Sequence, residues 1–238
     1  MKECLSLIDV SNPEVFITTP LFYLLRQGRK TNMTQTTGAA TKPKIFTTKV
    51  IAKTAILGAV AFVLMMFDFS LPIFPSFYKL DFSEVAVLVG GFAMGPIPAV
   101  AIEALKIVLN CLFQGSSTAY VGEVANFLIG CAFCVPASLI YRKSKTKKHA
   151  IQGLIIGALC MTAAGVVLNY FVLLPAYSFF YHMDMDVLIG MGTAIIPAIK
   201  DKLGFVLLAT TPFNLIKGAV VSLLTMLIYK HISPILHR

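Results

Sequence analysis

Five stretches of this chain, 55–67, 85–102, 124–140, 150–176 and 203–229, run almost without charge. A bilayer core is ~30 Å thick and takes about 20 apolar residues to cross as a helix. In lipid the backbone must satisfy its own hydrogen bonds, which a helix does. A soluble domain of 238 residues has too little interior to hide that much apolar surface. The chain is 57% hydrophobic and only 13% charged, against about 25% charged in soluble domains. The expectation is an all-α integral membrane protein.

The net charge of +9 invites a nucleic-acid reading, but its distribution excludes one. Eight of the twenty basic residues fall in 1–53 and five crowd 142–148. Such clusters between apolar runs mark cytoplasmic loops and touch anionic headgroups. Six spans are expected, near 48–69, 84–95, 97–114, 121–141, 150–175 and 203–230. Gly95–Pro96 ends the second, because proline blocks continuation of a helix. Basic termini and a basic 142–149 loop require an even number of spans, with both ends cytoplasmic. The connections 70–83, 115–120 and 176–202 then face outward, the last as a polar loop. Residues 1–43 read as a disordered or spurious leader with Met33 fitting a true start, and 44–238 as the membrane domain.

Ionisable groups inside spans are expensive and face a cavity or a partner. Glu103 and Lys106 stand three apart on one helix face, either as a self-neutralising structural pair or as part of a site. Asn126 follows Glu123 on one face, Asn214 precedes Lys217 on another, and Asn169 lies near the outer end of the fifth span. Glu84 sits at the outer mouth of the second, where it also suits the positive end of a helix. Their similar depth suggests one outward-facing polar pocket; asparagine also serves as interhelical glue. An amide offers a donor and an acceptor side by side, which suits an imide edge, and Lys217 suits partial negative charge there. No phosphate-binding glycine loop is present. Cys131 and Cys134 form a CxxC inside an apolar run without a histidine nearby, which favours buried small residues over a redox or zinc site. No metal site is expected.

The segments AKTAILGAVAFVL, PSFYKLDFSEVAVLVGGFAMGPIPAVAIEALKIVLN, VGEVANFLIG, LNYFVLLPAY and TPFNLIKG follow one another in order. In that order the chain resembles the S components of energy-coupling factor (ECF) vitamin transporters, most closely the riboflavin-specific RibU family, over about 44–232. The resemblance implies a six-helix protein of the cell membrane that captures riboflavin from outside. It implies no enzymatic activity and no cofactor, riboflavin being the transported ligand. It implies a partner ECF module of a transmembrane T protein and two ABC ATPases. Carried onto this sequence, it makes Glu84, Asn169, Asn214 and Lys217 the most direct ligand contacts, with Leu80, Phe82, Asn126 and Tyr170 as neighbours. Ala55 and Ala59 match the small-residue motif that packs against the T protein. Three alternatives stand beside it: an S component for another vitamin or precursor, a self-sufficient secondary carrier, and an intramembrane enzyme. The last lacks any HExxH motif, and His149, His182, His231 and His237 all fall in loops or at ends.

Overall fold

The computed structural model describes residues 47–236 apart from 76, 117 and 118, with side chains as far as Tyr229. The expected leader, 1–43, lies outside the described residues. Helix α1 (Thr48–Met66) starts on Thr47, whose side chain accepts from the Val50 amide as an N-cap does. A two-stranded antiparallel ribbon follows, β1 (Phe69–Ser70) with β2 (Lys79–Leu80), where only a loop was expected. Helix α2 (Ser83–Met94) and helix α3 (Pro96–Phe113) meet at the Gly95–Pro96 junction, with Pro96 opening α3 where its missing N–H does no harm. Helix α4 (Val121–Lys143) runs to the basic turn. Helix α5 (Lys147–Phe180) returns, helix α6 (Met185–Thr193) lies beyond it, and helix α7 covers 202–236.

Among the described residues, α1, α3, α4, α5 and α7 are long and apolar enough to cross a membrane. This is a multi-pass helical membrane protein. The second expected span is different in kind. Helix α2 has twelve residues, about 18 Å at 1.5 Å per residue, and every residue from Ser83 to Phe92 is buried. It packs against α1, α3, α4 and α7, so it forms the middle of the bundle. Around it Leu88, Phe92, Ile102, Phe133, Tyr141 and Leu154 form one apolar cluster.

Two expectations about the chain's second half are corrected. Pro175 does not end the fifth span, which continues to Phe180, and 176–202 is not a bare polar connection, since it holds α6. The physical reason lies in two wide turns. In α5, residues Asn169–Leu173 are π-helical, with the Leu174 amide bonding to the Asn169 carbonyl. In α7, Val206–Thr210 are π-helical, with the Thr211 amide bonding to the Val206 carbonyl. Each turn is followed by a proline six residues after its first residue, Pro175 and Pro212. A proline removes one donor from the ladder, and the wider turn re-forms it one residue out of register. Such turns tend to mark functional places in helices.

Candidate ligand-binding site

Helices α4 and α5 run away from and back to one end of the bundle, the end opposite the Lys143–Lys147 turn. A cavity of about 560 Å³ lies there, lined from the segments around 65–81, 110–129, 169–191 and 213–217. That volume falls in the range of small-molecule sites. Its apolar wall includes Phe77, Tyr177, Tyr181, Phe213, Met183 and Leu188. The connecting segment after α1 is seated by a second aromatic cluster. Phe74, Tyr78 and Leu80 bury against Phe205, Val206, Ala209 and Phe213 of α7.

Of the residues expected at the site, Asn126, Asn169, Asn214 and Lys217 share the cavity wall. Leu80, Phe82, Glu84 and Tyr170 are not among its lining residues. Leu80 is a wedge in the aromatic cluster, and Phe82 packs on Phe69. The Lys202 ammonium lies 4.4 Å over the Tyr170 ring, an ordinary cation–π distance. Glu84 is turned inward, its Oε1 2.8 Å from the Lys106 ammonium. Glu123, expected in the same outward-facing pocket, also lines the cavity, whereas the sequence did not single out Tyr78 and Asp81 as lining residues. The signal for Asp81 was available: a buried Lys217 needs a carboxylate, and Asp81 lies just ahead of α2.

Two buried ion clusters organise this end. Lys106, with no exposure, faces Glu84 and also Glu103, whose Oε1 is 2.6 Å away. The Glu103 contact is a close ion pair, and among the described residues Oε2 of both glutamates has no hydrogen-bond partner. Glycine at 130 gives this cluster room, for a methyl there would overlap the Glu103 carboxylate. Lys217 instead faces one carboxylate, Asp81 Oδ2 at 2.9 Å. Asp81 Oδ1 accepts from the Ser83 amide at 2.9 Å and from the Ser83 hydroxyl. Burial pushes the Asp81 carboxyl up, but the Lys217 and Lys106 ammoniums and the Ser83 hydroxyl outweigh it and hold it below the usual carboxylate range. At the more exposed rim, Lys79 pairs with Asp68 at 2.9 Å.

The π turns place the two amides. Asn169 Nδ2 donates to the Gly165 carbonyl at 2.8 Å, and Asn214 Nδ2 donates to the Thr210 carbonyl at 3.1 Å. A carbonyl only accepts, so the nitrogen of each amide must face it. Asn169 Oδ1 takes the Tyr78 hydroxyl at 3.1 Å. Asn214 Oδ1 has no partner among the described residues. The Asn214 amide nitrogen lies close against Gly165, where a methyl would collide with it. The wall therefore offers a donor from Asn169, an acceptor from Asn214 and donors from Lys217.

The model of the ECF transporter substrate-specific component family matches residues 49–229. The chain belongs to that family. It is 34% identical over 187 residues to the riboflavin transporter FmnP of Bacillus subtilis, covering 78% of this chain and 93% of that protein. It is 35% identical over 184 residues to the riboflavin transporter RibU of Staphylococcus aureus, covering 77% and 90%. A solved S component of a bacterial ECF transporter superposes with a TM-score of 0.62 at 36% identity, covering 80% of this chain and 99% of that one.

Proposed function

We propose that this S component captures riboflavin from the outer side of the cell membrane for ATP-driven uptake. The supporting observation is that Asn169, Asn214 and Lys217, from two helices, face one cavity in a chain akin to riboflavin transporters. The flavin imide edge has two carbonyls and one N–H between them. Donors from Asn169 and Lys217 suit the carbonyls, and Asn214 Oδ1 suits the N–H. The aromatic and methionine wall then removes the ring from water, worth ~25 cal/mol per Å², while the polar edge sets specificity. A buried amide left unpaired by a poor analogue disfavours it strongly.

In this reading the chain crosses the membrane six times with both termini cytoplasmic, α2 completing the count together with the segment before it. It catalyses no reaction and takes no cofactor. Its energy comes from a T protein and two ABC ATPases. Ala55 and Ala59 stand on the exposed side of α1, where small side chains let another helix approach closely. Detergent-purified protein should carry a flavin absorbance band, or acquire one with added riboflavin. Tight binding of a different vitamin with no response to riboflavin would overturn the assignment. Uptake in cells without any ECF module would point to a self-sufficient carrier.

A further inference from the structure

Tyr78 and Thr210 belong to no contact that the riboflavin reading uses, yet they form a chain of hydrogen bonds at the cavity wall that runs from Asn169 to the α7 π turn. The Tyr78 hydroxyl is 3.1 Å from Asn169 Oδ1 and 2.5 Å from Thr210 Oγ1. Thr210 is fully buried in the α7 π turn, and its own carbonyl holds Asn214. We propose that Tyr78 is a positioning residue that occupies the Asn169 carboxamide oxygen, so that the amide presents only its N–H to the ligand, with Thr210 setting the direction of the Tyr78 hydroxyl.

The proton order follows from chemistry. Asn169 Oδ1 can only accept, and a phenol has one proton. That proton therefore points at Asn169, and the short contact to Thr210 is threonine donating to tyrosine. Burial pushes the Tyr78 phenol up, so it keeps its proton. With its carbonyl held by Tyr78, Asn169 offers the cavity a donor only. Asn214, with its nitrogen held by Thr210, offers its oxygen. Each amide is oriented by a carbonyl of its own helix, and two identical side chains still present opposite polarity to the cavity because the oxygen of the first is occupied by a residue 91 positions away in the chain. Tyr78 is held there by its burial with Phe74, Phe205 and Phe213, so the seating of the segment before α2 and the hydrogen-bond polarity of α5 are one event. The ligand consequence rests on the reading of Asn169 as a riboflavin contact.

The test begins on ligand-free, full-length protein with isotopically labelled asparagine. Tyr78→Phe keeps the ring in its cluster and removes only the hydroxyl. It should shift the Asn169 side-chain amide resonance clearly, and Thr210→Val should shift it less, since threonine acts one bond further back. A fluorinated tyrosine placed at 78, a stronger donor, should shift it the opposite way, and this variant serves if Tyr78→Phe fails to fold. Riboflavin affinity should weaken about tenfold in Tyr78→Phe and under threefold in Thr210→Val, as for loss of one hydrogen bond. An unmoved Asn169 resonance in Tyr78→Phe, or an equal shift in Thr210→Val, overturns the inference. Wild-type protein that binds no riboflavin while the resonances shift as expected overturns the function and leaves the positioning role standing.

Discussion

Lys106 and Lys217 are both buried lysines that follow a polar residue by three positions on a helix, Glu103 and Asn214 respectively. In sequence they look alike. In the structure Lys106 is enclosed by two carboxylates, and Lys217 has one. An ammonium has three N–H groups. Two carboxylates from α2 and α3 take up the charge of Lys106, which does not line the cavity and so offers a ligand nothing. One carboxylate neutralises Lys217 yet leaves donors facing the cavity. The difference teaches that a structural lysine is separated from one available for recognition by the carboxylates around it together with its place on the cavity wall.

The largest expected effect comes from breaking the closed cluster. Lys106→Met leaves Glu84 and Glu103 buried without a cation, and removing one partner of a buried pair destabilises by ~3–5 kcal/mol. Thermal unfolding of the ligand-free protein should fall steeply, and adding Glu103→Gln should recover part of it. A Lys106→Met variant that melts like the wild type would erase the distinction drawn above. Lys217→Met should act in the other direction. Its loss of stability should be the smaller, while riboflavin affinity falls on the order of 10–100-fold, as for hydrogen bonds to a charged group. Fluorescence titration with riboflavin separates the two.

Gly165→Ala sharpens the comparison without touching either lysine. The added methyl meets the Asn214 amide, and overpacking of this kind is worth ~1–3 kcal/mol. Affinity should weaken several-fold with Lys217 still paired. The smallest effect is on pH. The Asp81 carboxyl is held below its usual range, so its contribution to stability is complete above the unfolded pKa of about 3.9 and fades as pH falls through the folded value. Melting should lose nothing on this account between pH 7 and pH 5, and Asp81→Asn should flatten the acid limb below about pH 4.

The spans were legible because membrane crossing imposes a composition and a length that a single sequence displays. Asn169, Asn214 and Lys217 were legible because polar groups in such runs are rare enough to stand out. Glu84 stood out for the same reason, yet which way it turns depends on Lys106, a residue of another helix. The π turns were hidden because their cause, Pro175 and Pro212, reads as a helix end until tertiary packing carries the chain past it. Tyr78 was hidden because a short aromatic-rich connection has no periodicity to announce that it folds inward, and Leu80 of the same connection entered only through the family resemblance.

Helix α2 never reaches lipid on its own: it is short, begins with serine and glutamate, and is enclosed by neighbours that include α7. Glu84 meets its cation as soon as α3 follows, since its partner is Lys106, but the apolar enclosure of α2 is completed only by α7, which lies more than a hundred residues further along. Biogenesis must therefore pair α2 with α3 early and finish enclosing it late. Truncation before α7 should leave a product that the cell's quality control removes, even though the chain up to that point contains several sound spanning helices.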